Sequence, residues 1–123
     1  MKHYKSHVSL MFATSILIIV VLGCGGGSSD ACIGTVTHQG KTFQGAGKNE
    51  IDAKSFACNN YCVDVDPEVE ARYRIWVNSP RGKAAGSPSK HDSIRKDNGL
   101  LDYVTDVCAR KCTAEMNPTA KCK

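Results

Sequence analysis

Cys58-Asn59-Asn60-Tyr61-Cys62 and Cys108-Ala109-Arg110-Lys111-Cys112 are the two stretches that decide the fold. In each, the sulfurs stand four residues apart, and residues at i and i+4 share one face of a helix. Two such helices laid side by side are stapled twice. Antiparallel packing, the preferred arrangement, joins Cys58 to Cys112 and Cys62 to Cys108, whereas parallel packing exchanges the partners. Either way Cys32 is left to meet Cys122 near the two ends of the domain. A bridge closing the chain between Cys62 and Cys108 contributes on the order of 4 kcal/mol in the chain-entropy model. That is comparable to the whole stability of a small domain.

Two other chemistries use paired thiols. A four-thiolate zinc site is built from C-x2-4-C knuckles and needs its cysteines reduced. Thiol oxidoreductases favour C-x-x-C, where a short loop and a helix N-terminus lower one thiol pKa. An oxidising compartment instead turns helix-spaced cysteines into structural bridges, so no metal and no cofactor is expected. The compartment therefore has to be read from the rest of the chain.

The seventh cysteine, Cys24, supplies it. It closes Val21-Leu22-Gly23-Cys24, after a positive stretch with Lys2 and Lys5 and an apolar run from Val8 to Leu22, and just before Gly25-Gly26-Gly27-Ser28-Ser29. A charged n-region and an apolar h-region of this length form an export signal, and the run falls short of the roughly 20 residues that span a bilayer as a helix. The ending resembles the lipobox of bacterial lipoproteins, in which the sulfur receives a diacylglyceryl group and signal peptidase II cuts before the cysteine. Leu22 departs from the Ala, Ser or Thr more usual at its place. The resemblance implies a signal peptide over residues 1–23, diacylglyceryl and N-acyl lipid on Cys24, and a Gly/Ser tether over residues 24–31. It places the protein in the bacterial cell envelope, with the membrane as a partner through the anchor. Gly25 is not the Asp that retains such proteins at the inner membrane, so the outer membrane is expected ahead of inner-membrane anchoring or free secretion. One myristoyl-length chain binds membrane only marginally; two or three chains hold for good.

Residues 32–123 are expected to form a single disulfide-rich α+β domain, a β-hairpin followed by three or four short helices. Cys32 to His38 and Lys41 to Gly45 read as strands around the two-residue loop Gln39-Gly40. In that register Val36 faces Phe43 and Thr37 faces Thr42, with Cys32, Val36 and Phe43 turned inward. Asn49 is an N-cap for a helix to about Cys62, with Asp52 in the capping-box position. Asp66-Pro67-Glu68 starts a second helix, with Val69, Tyr73, Trp76 and Val77 as its apolar stripe and Glu68–Arg72 and Glu70–Arg74 as i,i+4 pairs. Ser79 to Gly86 reads as a loop. Ser87-Pro88 then begins a shorter helix that Asn98-Gly99 ends. A last helix from Leu100 to about Ala114 is expected to bury Leu101, Val104, Val107, Cys108 and Cys112.

Charge divides the domain. The whole chain carries a formal +4, but residues 72–96 hold Arg72, Arg74, Arg81, Lys83, Lys90, Arg95 and Lys96 against Asp92 alone, and residues 50–70 hold six acids against Lys54. The seven cations are the candidate anion-binding set, and those of the 79–88 loop suit phosphate-rich headgroups, lipopolysaccharide or an anionic face of an envelope protein. Asp64, Asp66, Glu68 and Glu70 lack the calcium-loop pattern, and capping plus ion pairing accounts for three of them. His38 and His91 have no ligand spacing and are expected in a solvated turn or helix end.

Gly45-Ala46-Gly47 followed by Ala53-Lys54 and Ala57 resembles the G-x-G…A-K-x-x-A signature of the double-stranded RNA-binding domain. That family contacts phosphates through lysines at the helix start, whereas Glu50 and Ile51 stand there in this chain, so no nucleic-acid partner is expected. There is no nucleophile elbow, catalytic carboxylate pair or phosphate-cradling glycine loop. The expectation is a non-catalytic binding or structural module of the envelope, and the competing class is a thiol–disulfide oxidoreductase or other small envelope enzyme.

Overall fold

The computed structural model describes residues 32–123. The signal peptide, Cys24 and the tether expected over residues 1–31 lie outside the described residues. Strands β1 (Cys32–His38) and β2 (Lys41–Gly47) form the hairpin, with Val36 opposite Phe43 and Thr37 opposite Thr42. Its turn residues Gln39 and Gly40 both have positive φ, 49° and 78°, the twist that suits a two-residue hairpin loop. A third strand, β3 (Thr119–Cys122), pairs antiparallel on the other side of β1, giving the order β2-β1-β3. The Cys32–Cys122 bridge joins directly opposed residues of β1 and β3.

Helix α1 (Glu50–Val65) crosses the inner face of this sheet. Asn49 caps it, its side chain accepting from the Asp52 amide at 2.9 Å while its own amide group donates to the Asp52 carboxylate at 3.0 Å. Helix α2 (Pro67–Asn78) starts at Asp66, whose carboxylate accepts from the amides of Glu68 and Val69. Val69 and Trp76 are buried, and Tyr73 and Val77 pack half-buried against the same core.

Between Ser79 and Gly99 the structure corrects three expectations. Ser79 to Gly86 is not a loop: Ser79 caps a one-turn helix, α3 (Pro80–Ala84), whose Gly82 sits so close to α2 that a Cβ there would meet the Trp76 carbonyl and lie 2.6 Å from Val77 Cα. Ser87-Pro88 does not open the next helix. Ser89 does, as the cap of α4 (Lys90–Ile94). Asn98-Gly99 begins rather than ends a helix, because the Asp97 carboxylate accepts from the Leu100 amide at 3.0 Å and outcompetes the usual stop signal.

That last helical run is α5 (Asn98–Asp102), a π-helical turn (Tyr103–Cys108) and α6 (Ala109–Glu115), stopped by Asn117 at φ 47° and Pro118. Its buried residues are Leu100, Val104, Cys108, Ala109 and Cys112, while Leu101 and Val107 face outward at 38% and 53% exposure. An ideal α-helix turns about 100° per residue, so positions four apart drift about 40° each time. The wider π turn absorbs that drift. It keeps 100, 104, 108 and 112 on one face, against the 3.6-residue period that had placed Leu101 and Val107 inside. That face lies antiparallel to α1, and the bridges are Cys58–Cys112 and Cys62–Cys108, with Cα atoms 5.7 and 6.0 Å apart.

One cluster of buried residues forms the core, running from Val36 and Phe43 through Ala57, Val69, Trp76 and Ile94 to Leu100 and Val104, with four of the cysteine sulfurs at its centre. Its most deeply buried side chains are small: Leu100, Val69, Val104, Cys58 and Cys62 lead them by volume. Such a core buries little apolar area. Covalent staples make up the difference.

Candidate functional site

The acidic half of the domain is used up internally. Glu50 pairs with Lys54, Asp52 with the Asn49 cap, Glu68 with Arg72 at 2.9 Å, and Glu70 with Arg74 at 2.7 Å and Lys90 at 2.8 Å. Asp66 caps α2, and Asp64 takes His91 Nε2 at 2.7 Å and Lys41 at 3.8 Å. Among the described residues no group of three or more His, Cys, Asp or Glu side chains is placed to hold a metal ion.

The seven expected anion-binding cations split accordingly. Arg72, Arg74 and Lys90 are held by carboxylates, and the Arg72 guanidinium also lies 4.5 Å from the centre of the Tyr103 ring. Burial, and then the Asp66 carboxylate, pushes the Tyr103 phenol up. Arg81, Lys83, Arg95 and Lys96 are exposed and have no acidic partner within 4 Å among the described residues. Arg81 and Lys83 are carried on α3 and the other two follow α4, and both helices pack against α2. The cations of the 79–88 segment thus project from fixed helical backbone rather than from a flexible loop.

The Glu70 carboxyl is held below its ordinary 4.5 by its hydrogen bond from Lys90 first and from Arg74 second. A group whose folded pKa is depressed adds stability above its unfolded pKa and loses it as pH falls through the folded value. The melting temperature of the native protein should therefore exceed that of Glu70→Gln at neutral pH by a few degrees at most, since exposed pairs are weak. The gap should close once the pH is well below 4.5. Thermal melts of both proteins across that range check it, and a gap that widens in acid would contradict it.

A cleft of about 430 Å³ opens between the free edge of β2, the outer side of α1, α4 and the start of the last helical run. Val63, Ile94 and Val104 give it an apolar floor, Phe56 and Leu101 stand half-exposed at its rim, and Arg95, His91, Asn59, Asn60 and Thr105 are its polar lining. Asn59 Oδ1 is closed off from solvent with no hydrogen-bond partner, whereas the neighbouring Asn60 amide donates to the Gln44 carbonyl at 2.6 Å. A second hollow of about 350 Å³, beside α2 and α5, contains Trp76, whose buried Nε1 also lacks a partner, but its cation Arg72 is already committed to Glu68.

Of the expected site residues, only Arg95 lies at the larger cleft. Phe56, Asn59 and Leu101 escaped sequence reasoning. The available signal was an apolar Phe56 on the side of α1 away from its cysteines and two consecutive asparagines between Cys58 and Cys62, residue types without a packing role at those places. All six cysteines of the described residues are bonded, and those of the helical staple are buried. No helix among the described residues is long and apolar enough to cross a membrane. Comparison with protein-family models, with curated proteins and with solved structures found no match.

Proposed function

We propose that this chain is a lipid-anchored, exported envelope protein whose domain is a non-catalytic binding module for an anionic surface. The observation that carries the surface part is the contrast between the two charge sets: six acids consumed inside the domain, four cations left over on α3 and after α4. Cations without internal partners raise the local concentration of anions and strengthen contact with phosphate-bearing surfaces, in a salt-dependent way. The α3 turn supports this further, because helical backbone removes much of the entropy cost of ordering a loop on binding. The anchoring part rests on Cys24 and the segment before it, and an oxidising location accords with three bridges.

Fractionation and vesicle sedimentation test both parts. Expressed in a bacterial host, the full chain should incorporate labelled palmitate and stay with membranes washed in high salt, and Cys24→Ser should do neither. The Cys24→Ser protein, lacking an anchor, should still bind phosphatidylglycerol vesicles at low salt and not phosphatidylcholine vesicles. Arg81→Ser with Lys83→Ser should weaken that binding by roughly thirtyfold at about 1 kcal/mol per cation near the surface. Unchanged binding by that double variant would refute the anionic-surface role, and membrane association of Cys24→Ser identical to the parent would refute the anchor.

A further inference from the structure

The cleft between β2, α1 and the last helical run has the composition of a small-ligand site. Its size falls in the range of such sites, and it pairs an apolar floor with a few convergent polar groups. Two of those groups are unspent. Arg95 is an exposed guanidinium with no carboxylate within 4 Å among the described residues, and guanidinium binds carboxylate through paired hydrogen bonds. Asn59 lines the cleft with its Oδ1 turned away from solvent and without a partner, an orientation that costs free energy as it stands and that nothing among the described residues locks. Rotation about its last side-chain bond presents either the oxygen or the amide nitrogen. A carboxamide therefore complements a secondary amide in either sense. The other three polar side chains are already engaged: His91 Nε2 with Asp64, Asn60 with the Gln44 carbonyl, and Thr105 with the Leu101 carbonyl.

We propose that this cleft binds a free N-acylated apolar amino acid. Arg95 takes the carboxylate, Asn59 pairs with the amide, and the floor of Val63, Ile94 and Val104 receives the apolar side chain. The occupant is short. The Gln44 backbone faces away from β1, because its carbonyl is bonded by Asn60 rather than by the ladder. This side-chain bond stops β2's open edge just where an extended peptide would have to pair with it. The cleft shares Arg95 with the cation set of the anionic-surface role, but not Arg81 and Lys83, so the Arg81→Ser, Lys83→Ser variant tests that role without touching the cleft.

The test is a titration of the oxidised full chain with N-acetyl-L-phenylalanine, followed by amide chemical shifts and calorimetry. Saturable shifts should be confined to residues around Gly45, Ala46, Asn59, Ile94, Arg95 and Val104. N-acetyl-L-phenylalaninamide, lacking the carboxylate, should bind about tenfold more weakly, the value of one charge-assisted hydrogen bond. Arg95→Gln should show the same loss for the acid and no further loss for the amide. Arg95 is exposed, so this variant leaves the core intact. Asn59→Leu should weaken both ligands. Equal binding of acid and amide, unchanged binding by Arg95→Gln, or shifts spread outside the cleft would overturn the proposal. Tighter binding of a pentapeptide ending in phenylalanine would overturn the short occupant.

Discussion

Dithiothreitol added to the native protein should open one disulfide and leave two closed. Cys122 is exposed on β3, whereas the sulfurs of the helical staple belong to residues at 0% exposure for Cys58 and Cys62, 6% for Cys108 and 3% for Cys112. Exchange requires a thiolate to reach one sulfur of the bridge. The Cys32–Cys122 bridge offers that access from the Cys122 side alone, Cys32 being 2% exposed; the other two offer it only when α1 and the last helical run part. Timed alkylation and mass mapping should therefore show a plateau with Cys32 and Cys122 labelled, then joint labelling of the other four as urea is raised. Earlier labelling of Cys58 or Cys112 would contradict their place in the core.

The energetics of the staple follow from its nesting. The Cys62–Cys108 loop, 46 residues long, lies inside the Cys58–Cys112 loop of 54. With one bridge closed, the second restrains only the short segments between them, so the two contributions do not add. In the chain-entropy model the first closure is worth about 4 kcal/mol and the second about 2. Replacing either pair with alanine should then cost roughly 2 kcal/mol, and replacing both about 6, enough to exhaust the stability of a small domain. Urea unfolding measures this. A single-pair variant that is already unfolded would refute the nested scheme, as would a double-pair variant with a cooperative transition near the parent's.

The legible parts of the sequence are those where one residue type has one use. Gln39-Gly40 set the hairpin register, and Asp66-Pro67 set the start of α2, because both are local devices acting within four residues. Strand β3 was hidden because Thr119–Cys122 is only four residues long and becomes a strand through its pairing with β1. The end of α4 and the start of α5 were misread for a different reason. Asn98-Gly99 is a common helix stop, and only the proximity of Asp97 to the Leu100 amide converts it to a first turn. The π turn could not be seen in a periodicity count that assumes 3.6 residues per turn. As for the cleft, Asn59 on α1 and Arg95 just after α4 are brought to one opening by tertiary packing, which no spacing rule records.

Gly34→Ala and Gly45→Ala should each cost about 3 kcal/mol or more, at the upper end of overpacking penalties. Gly34, Gly45 and Gly47 lie on the inner face of the sheet, and α1 meets them with Ala53 and Ala57, both at 0% exposure. A Cβ on Gly34 would overlap the Ala53 carbonyl. One on Gly45 would overlap the Phe56–Ala57 backbone, and one on Gly47 would lie 2.8 Å from Asp52 Cβ and closer still to the Ala53 amide. These obstacles are mostly backbone, so no rotamer change relieves them. The helix must lift off the sheet, and its cysteines would be drawn away from their partners. This close approach accounts for the Gly45-Ala46-Gly47…Ala53-Lys54…Ala57 pattern as a packing device, with the small residues spent on contact between sheet and helix rather than on a phosphate backbone. Gly40→Ala is the control. A Cβ there meets nothing within 4 Å, and its φ of 78° alone sets the cost, at roughly 1 kcal/mol. Urea midpoints of the oxidised variants should rank Gly40→Ala well above Gly34→Ala and Gly45→Ala. If Gly45→Ala were as stable as Gly40→Ala, α1 would not lie in direct backbone contact with the sheet.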